Sequence, residues 1–81
     1  MVKINKTAKE TIVGFVPYNK TFKSDLQDVL SAVNLSKNEP FHSIFVTVPS
    51  EFKDIVGMEL KSKVNIVGFQ DNKKECVFEI K

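Results

Sequence analysis

Ser24-Asp25-Leu26-Gln27-Asp28-Val29-Leu30-Ser31-Ala32-Val33-Asn34-Leu35 is the stretch on which the fold turns. As a helix, Ser24 is an N-cap with Gln27 at the capping-box spacing. Leu26, Val29, Leu30 and Val33 then fall at i, i+3, i+4 and i+7 and make one apolar face. As a strand, Val29, Ser31, Val33 and Leu35 point one way, and Leu30, Ala32 and Asn34 the other. Local periodicity favours the helix, and tertiary context can override it.

On either side the reading is firmer. Upstream, Thr11 to Val16 is rich in β-branched residues, apolar on both faces, and reads as a buried strand that Pro17 ends. Residues 1–9 read as a polar arm with lysines at 3, 6 and 9, and residues 10–81 as a single globular domain. Downstream, Ser36 to Pro40 is a turn by composition. Phe41 to Val48 is the clearest strand, with Ile44, Val46 and Val48 on one face and Phe45 and Thr47 on the other. Ser50 caps a short helix to about Met58, with Phe52, Ile55 and Val56 as its buried side. Val64 to Phe69 is a further strand. Gln70 to Lys74 is a hairpin connection, and Cys76, Phe78 and Ile80 face inward on the returning strand.

Two architectures satisfy this order, both small, β-rich single domains. If residues 29–35 pair with 42–48, the chain is an OB-fold-like five-stranded barrel with one helix between strands 3 and 4. If residues 24–35 are helical, it is an α+β sandwich of order β-α-β-α-β-β with helices on one sheet face.

The 81 residues suffice for one core, and 42% hydrophobic content is enough to fold it. The single cysteine excludes an internal disulfide. A core this small without disulfide or metal is marginal, so a partner or self-association is a natural supplement. Residues 1–10 hold no apolar run of signal-peptide length, and nothing approaches a membrane span; the expected location is the cytoplasm. The Asn-X-Ser/Thr triplets at Asn5, Asn19 and Asn34 are therefore read as chance.

Catalytic patterns are missing. His42 is the only histidine and has no partner at triad spacing. Cys76 alternates with Phe78 and Ile80 and reads as a buried thiol. One cysteine and one histidine do not make a zinc site, and Gly14, Gly57 and Gly68 are too far apart for a phosphate-cradling loop. The pairs Asp25 with Asp28 and Glu51 with Asp54 suit the first turns of helices. The expectation is a non-enzymatic binding protein without cofactors.

Net charge is +2, from 12 basic and 10 acidic residues, and every basic residue is lysine. Lysine holds phosphate as a point charge, whereas bidentate reading of guanine belongs to arginine. Reading of duplex sequence is thereby disfavoured.

Ser31 to Asn34, Phe41 to Val48, the segment Ser50 to Leu60 and Lys61 to Gly68 together resemble the middle of the bacterial single-stranded DNA-binding proteins. Leu60, Lys61, Val64, Ile66 and Gly68 fall on a Leu, Lys, Val, Val, Gly pattern of that family. Ser62 and Lys63 stand where the family has a glycine. Ile12 to Pro17 resembles its first strand, so the similarity spans residues 11–69. It implies the barrel. The chain departs from the family in lacking tryptophan, arginine and an acidic tail after Lys81, and its first loop is short, so tail-mediated recruitment does not carry over.

An OB-fold binds through strands 2 and 3 and the loops 1–2 and 4–5. Those positions would hold Tyr18, Lys20, Phe22 and Lys23, then Gln70, Asn72, Lys73 and Lys74, with Phe41 at the start of strand 3. Rings for stacking among cations for phosphate are what sequence-tolerant binding of single strands requires. The candidate site is thus Tyr18, Lys20, Phe22, Lys23, Phe41, Lys73 and Lys74. Two functions follow: a single-stranded nucleic-acid-binding module accessory to replication, or a small adaptor or inhibitor docking on one larger protein.

Overall fold

The computed structural model describes residues 2–17 and 20–81. Its elements are β1 (Val2–Lys6), β2 (Glu10–Phe15), α1 (Phe22–Ser36), β3 (Ser43–Pro49), a 3-10 turn (Ser50–Phe52), α2 (Lys53–Lys61), β4 (Ile66–Asp71) and β5 (Glu75–Ile80). The five strands form one mixed sheet in the order β1-β2-β3-β5-β4. β2 and β3 are parallel, joined by α1; the other three pairings are antiparallel.

The deciding stretch is helical. Leu26, Val29 and Val33 of the expected face are buried, Leu30 is half-buried against the core, and Ala32 is buried beside them. The helix begins at Phe22, two residues before the expected cap, and Thr21 precedes it. The Thr21 hydroxyl donates to the Asp25 carboxylate at 3.0 Å, and the Asp25 N–H donates to the Thr21 carbonyl at 2.8 Å. Residues 29–35 are therefore not a strand, and the partner needed for the barrel is missing. β1 and β4 remain as separate edges of an open sheet. The sandwich order is the one adopted, with one strand more: the segment expected as a polar arm contributes β1, antiparallel to β2.

One sheet face carries the core. Val13 and Phe15 of β2, Ile44, Val46 and Val48 of β3, and Cys76, Phe78 and Ile80 of β5 are all buried on it. They pack with Leu26, Val29 and Val33 of α1 and with Val56 and Leu60 of α2. Ile55 departs from expectation: it is one of the exposed large hydrophobics, and Leu60 takes the buried position instead. Val56 and Leu60 are four apart and define the inner stripe, while Ile55 lies to its side. The opposite face carries Ile12, Phe45 and Val77, half-buried and, among the described residues, covered by no helix.

Gly57 sits over the ring of Phe78. A methyl group added there would lie 3.5 Å from that ring, an ordinary contact distance. Glycine inside a helix is about 0.8–1 kcal/mol less favourable than alanine. Gly57→Ala is expected to stabilise the protein by roughly 0.5–1 kcal/mol, visible as a higher midpoint in thermal or urea unfolding. A lower midpoint would show that α2 needs the gap.

Candidate functional site

Because β2 and β3 are parallel, and β4 turns into β5 beside the end of β3, residues 16–17 and 72–74 lie at the same end of the sheet. There Val16 and Lys74 line a cleft of about 370 Å³ together with Lys3, Gly14, Thr47, Pro49 and others. Lys20, Lys23 and Lys73 are exposed. Of the four lysines expected together, Lys74 lines this cleft, whereas Lys23 lines a separate groove with Glu59 and Lys63. Phe22 is half-buried and stacks on Phe15, with ring centroids 6.5 Å apart and planes 18° apart, so its ring belongs to the core. Tyr18 lies outside the described residues.

Phe41 is elsewhere. It precedes β3, at the end of the sheet where β2 and β3 begin. Its side chain is wholly exposed, at 101% of the reference area, and its φ is 55°. A bulky residue in the left-handed region is strained. The seven expected residues therefore do not form one surface.

What holds Phe41 in place is a buried polar chain that spacing did not reveal. The Ser36 hydroxyl, at the end of α1, donates to Thr11 Oγ1 at 2.8 Å. Thr11 Oγ1 lies 2.7 Å from His42 Nε2. A hydroxyl donates once and accepts through two lone pairs, so Thr11 Oγ1 serves both partners at once. Nδ1 faces Glu39 Oε2 at 3.5 Å, too long for a hydrogen bond and within ion-pair range. Glu39 is paired with Lys6 of β1, and that ammonium holds its carboxyl below the usual range. Residues 36, 39 and 42 are thus all anchored around the exposed tip. Thr11 is 1% exposed, so its hydroxyl is closed to a substrate despite the Thr-His-Glu sequence of contacts.

Three lysines belong to backbone that borders the tip. The Ser43 N–H donates to the Lys9 carbonyl at 2.9 Å, and Ile44 pairs with Ile80, which brings Lys81 beside Ser43. Lys37 is the C-cap of α1.

A second polar cluster ties β4 to the start of α2. Asp71 accepts from Ser50 Oγ at 2.7 Å, from Lys53 Nζ at 2.9 Å and from the Lys73 N–H at 3.1 Å. These donors, Ser50 first and then Lys53, lower its pKa from 3.8 to about 2. A depressed carboxylate stabilises the fold above its ordinary value, and that contribution is lost as pH falls from 3.8 towards 2. Unfolding midpoints of the wild type should fall through this window, and those of Asp71→Asn should start lower and fall less. Equal slopes would remove the role given to the cluster.

Cys76 is buried, and burial raises its thiol pKa, which keeps it protonated and unreactive. Among the described residues no three His, Cys, Asp or Glu side chains come together as metal ligands, and no helix is long and apolar enough to cross a membrane. No family model, curated protein or solved structure matches this chain.

Proposed function

We propose that this chain is a non-enzymatic docking domain that binds one larger protein, with Phe41 as the anchor. The observation that carries this reading is a fully exposed phenyl ring held in a strained backbone by a buried hydrogen-bond chain. Folding alone gains nothing from that arrangement. Aromatic anchors entering a partner's pocket dominate interface energies, and strain at an exposed site points to use. Lys9, Lys37 and Lys81, on backbone that borders the tip, suit a pocket rimmed with carboxylates.

Phe41→Asn tests the reading. Asparagine tolerates the left-handed region, so stability should stay or rise by up to about 1 kcal/mol. Capture of the partner from the native host, with nuclease present, should be lost. Retained capture would remove Phe41 from the interface.

One observation favours a second reading, a single-stranded nucleic-acid-binding module. Lys3 and Lys74 line the cleft, and the exposed Lys73 adjoins Lys74. Cations without a described stacking ring would give weak, salt-sensitive binding. The fold places Glu75 on that cleft and Glu79 further along the outer face, both unfavourable to phosphate. Polarisation of labelled oligo-dT at low salt decides between the readings. A signal lost in Lys73→Ala/Lys74→Ala would support this one.

A further inference from the structure

The two edges of the sheet differ. β1 runs Val2-Lys3-Ile4-Asn5-Lys6, with lysines along an exposed strand, the usual guard against unwanted pairing. β4 runs Ile66-Val67-Gly68-Phe69-Gln70-Asp71, with no lysine, and Val67 and Phe69 are 50% and 52% exposed.

The direction of the β4 amides follows from the ladder. The Ser50 N–H donates to the Lys74 carbonyl, so Lys74, Cys76, Phe78 and Ile80 turn their backbone groups to β3. The Asn72 N–H donates to the Glu75 carbonyl, and the Lys81 N–H to the Asn65 carbonyl. Glu75, Val77 and Glu79 therefore face β4, where Val77 meets Gln70 and Glu79 meets Gly68. Phe69 and Asp71 consequently turn their N–H and C=O groups to the free edge. A register shift between Ile66 and Gly68 confines regular pairing to the last four residues of the strand.

Charge says what pairs there. Lys53, Gly57 and Lys61 lie four apart on the stripe of α2 that faces Phe78 and Asp71, which places Lys61 towards the start of β4. Lys73 and Lys74 follow its end. Asp71 is already neutralised by Lys53. In a two-fold antiparallel pairing with a second copy, the start of one β4 would meet the end of the other, setting Lys61 against Lys73. Self-pairing is disfavoured, and acidic groups at both ends of the incoming strand are favoured. We infer that the free edge of β4 accepts an extended segment of another protein, apolar at its centre and acidic at both ends, as an added strand. This surface is separate from Phe41.

The probe is the nonapeptide Glu-Glu-Val-Thr-Val-Thr-Val-Glu-Glu, compared with the same centre flanked by lysines, and the readout is amide shifts and amide exchange. The glutamate peptide should shift the Phe69 and Asp71 amides and slow their exchange, binding at least tenfold tighter than the lysine peptide. Phe69→Pro removes one outward N–H without removing a ladder bond, and should weaken binding tenfold or more, whereas Phe69→Leu should largely retain it. Lys61→Glu, which leaves the strand intact, should narrow the preference between the peptides. Phe41→Ala should leave this binding unchanged while losing the partner captured through the tip, so the two readings fail separately. No response at Phe69 and Asp71 at millimolar peptide would overturn the proposal. So would equal affinity for the two peptides, or a wild-type dimer that Phe69→Pro dissociates.

Discussion

Phe78→Ala should destabilise this protein by about 3–5 kcal/mol, the range for truncating a buried phenylalanine. The ring is 4% exposed and belongs to the strand that joins β3 to β4. Gly57 of α2 lies above it, Phe69 lies beside it with centroids 5.1 Å apart, and Val46 is its partner across the ladder. Removing it opens a cavity where the helix layer, β4 and β3 meet, and a helix fixed over the sheet at Val56 and Leu60 does not collapse into the gap. Domains of this size have roughly 5–15 kcal/mol of total stability, so the variant should be largely unfolded at modest urea or temperature. Urea unfolding followed by circular dichroism measures it. A loss below about 1 kcal/mol would mean that the core packs differently.

Thr11→Val should be nearly as damaging, for a different reason. The change keeps the shape of the side chain and deletes one hydroxyl. That hydroxyl accepts from Ser36 and lies 2.7 Å from His42 Nε2, and both partners would be left buried without it. A stranded buried polar group costs about 1–3 kcal/mol, and here there are two. The coupling provides an internal check. Adding Ser36→Ala to Thr11→Val removes one stranded donor, so the double variant should lose less than the sum of the single changes. Strict additivity would show that the three groups do not act as a chain. The same loosening should reach the tip: with residues 36 and 42 released, Phe41 is no longer held out, and capture of the partner should weaken along with stability.

Much of the sandwich could be read from residue order alone. The inward sets Ile44, Val46, Val48 and Cys76, Phe78, Ile80 followed from alternation, and the face Leu26, Val29, Val33 followed from helical spacing. Hydrophobic periodicity reports the local period and the buried side, and those are local properties. The choice between barrel and sandwich was not local, because it depended on whether residues 29–35 found a strand partner. β1 escaped notice for a related reason. Val2-Lys3-Ile4-Asn5-Lys6 alternates over only five residues, and lysines on an edge strand look the same as lysines on a free arm. The lysine set followed from a barrel, whereas the sandwich sets Lys74 on the cleft and Lys23 in the groove between the helices. The Ser36–Thr11–His42 chain spans 25 and 31 residues of sequence and left no spacing signal. Its one visible trace was a lone histidine preceded by a phenylalanine outside any helix.

The strand order also governs how the protein can be made. β5 comes last along the chain and sits between β3 and β4. As a ribosome releases the polypeptide, β1, β2, α1 and β3 can assemble, but β3 has no neighbour on its second side until Glu75 to Ile80 emerges. β4 has no neighbour at all until then. This six-residue strand joins two otherwise separate pieces, so productive folding waits until Glu75 to Ile80 has been made. Until it arrives, Ile44, Val46 and Val48 belong to a strand with one bare flank, and Phe69 waits on one with none. A chaperone that binds extended apolar segments would find them in that interval, and a chain cut short of Glu75 would remain its client.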